Sequence, residues 1–298
     1  MRASALSPQL IGILAMSAAG AVFSGHDALT KYLSTSYPLG EIIFFRQLVS
    51  ITLLTTYVYF TTGLRDLKTS NFGRQTTRSL LFVASTILIG TSVSVLPLAT
   101  ALAIVFSSPL LVAALSATML GEPVGPRRWT AIIAGFIGVL IIIRPGGASF
   151  TWLLLIPVAA ASASALRDIM TRILHRTDNT NAILFWSNVA ILVATACSMP
   201  YGWKEVATPD IGFLVLAGAL NLLAHFLTIT ALRFGDAALI TPFRYTALVW
   251  AALLGYLVWG HVPDQWTTVG AVVIVGAGVY LVVRGSQVKA RTAEVGNE

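Results

Sequence analysis

Long apolar segments alternate with short polar breaks along the whole chain. A helix needs about 20 largely apolar residues to cross a hydrocarbon core of roughly 30 Å, and most of the apolar segments have that length. The breaks are clusters of glycine, proline and polar residues, which end helices and form turns. The pattern predicts transmembrane helices at residues 10–33, 40–61, 76–95, 98–120, 128–144, 150–173, 181–199, 210–233, 236–259 and 265–284. We therefore expect an all-α integral membrane protein with ten transmembrane helices.

The composition supports a lipid environment and narrows the classes of function. Hydrophobic residues make up 56% of the 298 residues and charged residues 10%, whereas soluble domains carry about 25% charged residues. The net charge of +7 is spread over short loops, so it does not form the basic face that nucleic-acid binding requires. Cys197 is the only cysteine, which excludes an intrachain disulfide and a cysteine-based metal cluster. We expect a small-molecule substrate and the lipid bilayer as partners, with no nucleic acid, metal or cofactor.

Lysine and arginine predict the orientation, because they concentrate in cytoplasmic loops. If the N-terminus is cytoplasmic, thirteen of them fall on the cytoplasmic side, and three, Lys31, Arg144 and Lys204, fall on the opposite side. An even number of crossings returns the C-terminus to the side of the N-terminus. We predict a multi-pass protein of the cell membrane, such as a bacterial inner membrane, with both termini in the cytoplasm.

The sequence contains an internal repeat. Asp27-Ala-Leu-Thr-Lys31 and the pair Phe44-Phe45 align without a gap with Asp168-Ile-Met-Thr-Arg172 and Phe185-Trp186, at an offset of 141 residues. Gly121-Glu122 and Gly260-His261 match at a similar spacing. Each half, 1–145 and 146–298, then holds five helices, and an odd number makes the second half enter the membrane in the opposite orientation. This arrangement, two inverted repeats around a central cavity, is common in secondary transporters.

Several short motifs resemble the drug/metabolite transporter superfamily, EamA type. They are Phe23, Lys31, Pro38 and Arg46 in the first two helices, Pro109 and Gly121-Glu122-Pro123 around the fourth, and Gly135 and Gly138 in the fifth. The resemblance implies ten helices around a central cavity and export of small metabolites. The chain departs from the family pattern at Phe23, where tryptophan is frequent, at His261 in place of glutamate, and at Ser187, the counterpart of Arg46.

Ionisable residues inside the predicted spans are candidates for ion pairs or gates, because such residues usually face a cavity or a charged partner. Asp27 and Arg46 have similar predicted depths and could pair. Alternatively, Asp27 could pair with Lys31 four residues later, as Asp168 could with Arg172. Arg244 shares the predicted depth of Asp168. It could pair with Asp168 as an inner gate, or anchor a substrate carboxylate through its planar guanidinium.

Other residues are candidates for substrate contacts near the membrane midplane. Asn221 and His225 lie on one face of the eighth helix and could hydrogen-bond a substrate or relay a proton. Phe243, Thr246 and Trp250 form a stripe on the ninth helix, where Trp250 could stack on a substrate. Ser108 precedes Pro109 in the fourth helix, and Pro242 lies at the corresponding place in the ninth, so kinks could expose backbone carbonyls to the cavity. For every one of these residues, packing between helices is the alternative.

These features predict a secondary transporter, an exporter of small metabolites such as amino acids that works by alternating access. Efflux of drugs or lipophilic cations is an alternative, and the two aspartates would then bind the cargo. An intramembrane enzyme is the alternative of another class, since Ser24, His26 and Asp27 match a catalytic triad by residue type. Successive helical residues point about 100° apart, so we expect no relay between these three and no enzyme activity. The glycines in the predicted helices could pack between the halves or against a second protomer, so the sequence is also compatible with a homo-oligomer.

Overall fold

The computed structural model describes residues 8–119, 125–147, 150–174, 177–234 and 240–295. These ranges contain helices and turns but no strands. In chain order the α-helices are α1 (Pro8–Leu33), α2 (Leu39–Thr61), α3 (Phe72–Val95), α4 (Leu98–Val105), α5 (Ser108–Met119), α6 (Pro126–Ile143), α7 (Leu155–Leu174), α8 (Thr180–Ala196), α9 (Thr208–Arg233), α10 (Thr246–Trp259) and α11 (Gln265–Val295). The prediction of an all-helical chain is confirmed. Residues 120–124, with Glu122 of the EamA-like motif, lie outside the described residues.

Proline interrupts two of the predicted spans. The fourth span is divided between α4 and α5 at Phe106 and Ser107, directly before Pro109 in the first turn of α5. The described part of the ninth span begins with a 3-10 turn, Thr241–Tyr245, which contains Pro242, and continues as α10. A proline ring removes a backbone donor and clashes with the preceding turn, so a continuous α-helix is unfavourable at both places.

Apolar length is sufficient for membrane crossing in much of the described chain. Seven of the described segments are helices long and apolar enough to cross a membrane, with α4 and α5 counted as one. Two more, Thr180–Ala196 and Gln265–Leu281, are shorter apolar helices. Large apolar side chains also lie exposed on the outer surface, for example Leu140, Val249 and Val272. Such a surface suits lipid and not water.

The two halves interlock through equivalent contacts. Helix α1 packs against α9 and α10, whereas its counterpart α7 packs against α3 and α5. Helix α2 packs against its own counterpart α8, and α6 packs against its counterpart α11. The contact between α6 and α11 is so close that a Cβ atom at Gly138 would lie only 2.9 Å from the carbonyl oxygen of Gly270. Exchanging the halves therefore exchanges one set of helix contacts for the other.

Equivalent loops also join the halves at both ends of the molecule. Tyr37, between α1 and α2, donates its hydroxyl to Asp210 Oδ2 at 2.6 Å. Asp178, 141 residues later, lies between α7 and α8 and accepts hydrogen bonds from the Thr69 hydroxyl and the Ser70 amide. The bond to Asp210 raises the pKa of Tyr37. Burial alone would raise the pKa of Asp178, but its hydrogen bonds outweigh burial and lower it.

Candidate substrate cavity

A cavity of about 200 Å³ lies between the two halves. Its walls come from α1, α2, α3, α4, α5, α7, α9, α10 and the turn before α10. Its polar and charged lining residues are Ser24, His26, Asp27, Arg46, Gln47, Thr86, Ser108, Ser164, Arg167, Asp168, Asn221, His225 and Arg244. The sequence prediction named seven of these, namely Asp27, Arg46, Ser108, Asp168, Asn221, His225 and Arg244, and Pro109 also lines the cavity. Charge of both signs is therefore concentrated in a small space.

His26 connects the two charged residues that were expected to pair. Its Nδ1 lies 3.0 Å from Asp27 Oδ1, and its Nε2 lies 2.6 Å from Arg46 Nη1. Arg46 Nη1 also donates to the hydroxyl of Thr30 at 3.2 Å. Asp27 and Arg46 are thus linked through the imidazole ring, whereas the sequence had left open a direct pair between them or a pair of Asp27 with Lys31.

This chain of contacts determines the protonation state of His26. A guanidinium has donors and no acceptor, so Nε2 must accept from Arg46 and the ring proton must be on Nδ1, directed at Asp27. His26 and Asp27 are therefore in contact, although successive helical residues point about 100° apart and no contact was expected. Ser24 takes no part in this contact and donates instead to the carbonyl of Ala247 at 2.8 Å. No catalytic triad is formed by these three residues.

The second half repeats this pattern with a different cation. Arg167 and Asp168 occupy the positions of His26 and Asp27, and Arg167 donates to Asp168 Oδ1 at 2.8 and 3.0 Å. Asp168 thus pairs with Arg167, its neighbour in sequence. Among the described side chains, Arg244 forms no ion pair with Asp168. The side chain of Arg172, the predicted partner, lies outside the described residues. Each half therefore presents one partnered carboxylate to the cavity.

Arg78 supplies the charge that the second half lacks at Ser187. It comes from α3, is 6% exposed, and donates to the Ser187 hydroxyl and to the carbonyl of Ile183. Its Nε donates to the hydroxyl of Thr171 at 3.0 Å. A guanidinium from the first half thus reaches the position where Arg46 would have a counterpart.

Lys31, which was considered as an alternative partner of Asp27, binds other groups. Its ammonium group donates to the carbonyls of Val93 and Leu96 at 3.0 and 2.7 Å, and lies 5.5 Å from the centre of the Trp259 ring. Among the described side chains it forms no ion pair with Asp27. The carbonyls at the end of a helix lack partners within that helix, and Lys31 supplies a donor to those at the end of α3. Its role in the structure is therefore to close α3.

The predicted stripe on the ninth span does not line the cavity. Trp250 is 41% exposed and points outward. Phe243 packs against the buried cluster of Met16, Ala231 and Ile240. The Thr246 hydroxyl donates to the carbonyl of Phe243 at 2.7 Å. The proposed substrate contact of Trp250 is thus not supported by its position.

Two other predicted residues do reach the cavity. Asn221 donates to the hydroxyl of Ser50 at 3.2 Å, and His225 makes an edge contact with Phe23 at 5.2 Å between ring centroids. Both residues line the wall formed by α9. Their polar groups remain beside the cavity, where a solute could contact them.

The prediction missed His26 and Arg167 as cavity residues. A signal was present, because each directly precedes one of the two aligned aspartates, and the 141-residue offset that pairs Asp27 with Asp168 also pairs these two residues. Gln47 and Ser164 also line the cavity, but nothing in their immediate sequence distinguishes them from polar residues that pack between helices.

Two interlocked halves with a charged cavity between them define a class of membrane transport protein. Residues 10–144 and 150–284 each match the EamA-like transporter family, and the chain belongs to that family. It is a multi-pass membrane protein, and the proteins of the family are transporters and not enzymes.

Three relatives illustrate the range of the family. The chain is 31% identical to an S-adenosylmethionine uptake transporter of Rickettsia bellii, over 87% of this chain and 89% of the relative. It is 27% identical to a riboflavin transporter of Rhizobium johnstonii, over 92% of each chain. It is also 27% identical to the pseudopaline exporter CntI of Pseudomonas aeruginosa, over 91% of this chain and 95% of the relative.

Proposed function

We propose that the chain is a secondary transporter that works by alternating access, with ten crossings formed by two inverted halves, 1–145 and 146–298. The equivalent helix contacts and the two family matches support this arrangement. In such carriers the substrate binds at the interface between the repeats, where each half can close over it in turn. The excess of basic residues in alternate loops supports a cell membrane, such as a bacterial inner membrane, with both termini in the cytoplasm.

The cargo we propose is a small zwitterion, with amino acids as the first class to test. One observation carries this proposal: a single cavity presents the carboxylates of Asp27 and Asp168 together with the guanidinium groups of Arg46 and Arg244. A solute with both an ammonium and a carboxylate group matches that charge pattern. At about 200 Å³ the cavity is also smaller than the roughly 300–1,000 Å³ of sites for drug-sized ligands.

S-adenosylmethionine is a second candidate, favoured by the relative from Rickettsia bellii. It carries an amino-acid group and a sulfonium cation, so the same charged lining suits one end of it, whereas the cavity volume of about 200 Å³ favours the smaller amino acids. Lipophilic cations fit less well, because Asp27 is already bonded to His26, and Asp168 to Arg167.

We propose export as the direction, and transport in liposomes tests direction and cargo together. The purified protein is reconstituted, and uptake and release are measured for radiolabelled amino acids, S-adenosylmethionine, riboflavin and a lipophilic cation under imposed gradients. We expect saturable amino-acid transport that Arg46→Gln reduces at least about tenfold, which corresponds to one charged hydrogen bond. Trp250→Ala is the matched control, since its side chain lies outside the cavity. Transport of the lipophilic cation alone would overturn the proposed cargo.

A further inference from the structure

Arg46 has an unused binding edge beside the cavity. The residue is 5% exposed and lines the cavity. Its Nη1 is occupied by His26 and Thr30, whereas its Nε is buried and has no partner. The Nε and Nη2 atoms form the side of a guanidinium that binds a carboxylate through two parallel hydrogen bonds. A carboxylate beside Arg46 would therefore satisfy the free donor while Nη1 stays bound to His26.

The orientation of Arg46 depends on the proton content of His26. Neutral His26 accepts from Arg46 at Nε2 and donates from Nδ1 to Asp27. A second proton has one place to bind, Nε2, and it would turn this acceptor into a donor that faces another donor at 2.6 Å. It would also place two cations in contact. Arg46 must then move away from His26.

We propose that His26 is a positioning residue that holds Arg46 for a substrate carboxylate only while the imidazole is neutral, so that a proton on His26 and the carboxylate on Arg46 exclude each other. This inference rests on the proposed function and deepens it. Asp27 contributes by fixing the ring proton on Nδ1, which leaves Nε2 free to accept.

Other charged groups around His26 fit this exchange. Arg46 from α2 is in direct contact with His26, and His225 from α9 lines the same cavity. The charged and titratable lining groups on the elements that face His26 are Asp27, Arg46, Arg167, Asp168, His225 and Arg244. On its own helix Lys31 is the next cation, and it is directed away to the carbonyls at the end of α3. Cations outnumber carboxylates here, so an added proton on His26 displaces the nearest cation, Arg46.

Exclusion of this kind couples transport to protons. A carrier that binds either the proton or the substrate carboxylate, but not both, carries one of them in each direction across the membrane. It thereby exchanges one proton for one substrate molecule. The coupling is reciprocal: if a bound proton weakens the binding of the substrate, the bound substrate must weaken the binding of the proton by the same factor. An inward proton gradient would then drive export.

The linkage between His26 and Arg46 can be tested without a substrate. The protein is prepared with ¹⁵N-labelled histidine in lipid nanodiscs, and the nitrogen spectra are recorded from about pH 5 to 9, across the range where histidine usually titrates. His26→Gln identifies the His26 signals among the four histidines. We expect neutral His26 to show the Nδ1–H tautomer, which Asp27 also favours, and we expect Arg46→Gln to shift uptake of the second proton to higher pH, because it removes the adjacent cation. An Nε2–H tautomer in the wild type, or an unchanged titration of His26 in Arg46→Gln, overturns the proposal.

Transport supplies a second readout that a merely structural role would not change. The KM for the transported amino acid should rise towards low pH, by up to about tenfold per pH unit, the limit for one competing proton. His26→Gln keeps an acceptor for Arg46 but does not titrate, so it should transport with a KM that is flat with pH. His225→Gln is the matched control and should keep the pH dependence. If its KM becomes flat instead, the proposal is wrong.

The two proposals fail separately. Absence of transport for every amino acid, with the Nδ1–H tautomer present and the titration of His26 sensitive to Arg46→Gln, overturns the proposed cargo and supports the link between His26 and Arg46. Transport with a KM independent of pH in the wild type leaves the cargo standing and overturns the coupling.

Discussion

Gln47 donates a hydrogen bond to Asn188, the residue that occupies the same position in the other half, 141 residues later. Both side chains are buried, between α2 and α8. Residues at equivalent positions of the two repeats are thus in direct contact with each other. Next to it, the hydroxyl of Ser50 donates to the carbonyl of Gly218 at 2.9 Å. These polar contacts thus join the halves beside the cavity.

A double-mutant cycle should detect this bond. Gln47→Leu or Asn188→Leu alone leaves a buried amide without its partner, which costs about 1–3 kcal/mol. The double variant removes both groups and should recover about 0.6 kcal/mol, the mean coupling measured between membrane helices, and at most about 1.7 kcal/mol. Thermal unfolding of the purified protein in detergent measures these differences. Strictly additive single effects would show that the two amides do not interact.

His225 and Trp250 should respond in opposite ways to truncation. His225 lines the cavity, whereas Trp250 lies on the outer surface. We expect His225→Ala to reduce transport several-fold and Trp250→Ala to transport like the wild type, with both variants monodisperse in detergent. Initial transport rates per mole of reconstituted protein make the comparison. A loss of transport in Trp250→Ala would place a substrate contact outside the cavity described above.

Arg78 and Ser187 should tolerate exchange better than either single change. Arg78→Ser removes the donor of several buried acceptors, at about 1–3 kcal/mol. Ser187→Arg adds a second guanidinium beside the first, and like charges in a buried site repel. The variant with both changes restores one guanidinium to the same space, from α8 instead of α3. We expect its midpoint of thermal unfolding to exceed those of both single variants. A midpoint below both would mean that the helix supplying the arginine matters more than its charge.

Much of the architecture follows from local sequence, because a transmembrane helix must satisfy its own backbone hydrogen bonds and present apolar side chains to lipid. Asp27 and Asp168 could be predicted as functional candidates for the same reason, since charges in lipid are unfavourable. The face of a helix is harder to predict. The side chain of Trp250 is suited to contact either lipid or an apolar part of a cavity, and only the packing of the neighbouring helices determines which of the two it faces.

Partners were the least predictable part of the site. Lys31 lies one helical turn from Asp27, but its ammonium group binds the end of α3, more than sixty residues away along the chain. His26 was expected to point away from Asp27, but Arg46 approaches from α2 and fixes the ring where both of its nitrogens have partners. These contacts depend on how helices cross, which helical periodicity does not encode.

Asp178 should make stability depend on pH at the end of the molecule where it joins the halves. Its folded-state pKa is lowered because the hydrogen bonds from Thr69 and Ser70 outweigh its burial. The ionised carboxylate of Asp178 therefore stabilises the folded state at pH values above the usual aspartate pKa. This contribution to stability is lost as the pH falls below about 4 and the group becomes protonated. Asp178→Asn should unfold at a lower temperature than the wild type at neutral pH, and the difference should narrow as the pH falls below about 4. A constant difference between pH 7 and pH 3 would contradict this role.

The topology can be tested at Arg74 and Lys204. Residue 74 lies in the first turn of α3 and residue 204 in the loop before α9, and both are exposed. Five proposed crossings separate them, formed by α3, by α4 with α5, and by α6, α7 and α8, and an odd number must place them on opposite sides. Cysteine at each position, in a Cys197→Ser background because the native cysteine is exposed, is labelled in intact cells with a membrane-impermeant maleimide. We expect Lys204→Cys to react in intact cells and Arg74→Cys to react only after permeabilisation. Reaction of both in intact cells would mean an even number of crossings between them, and the inverted arrangement of the halves would then be wrong.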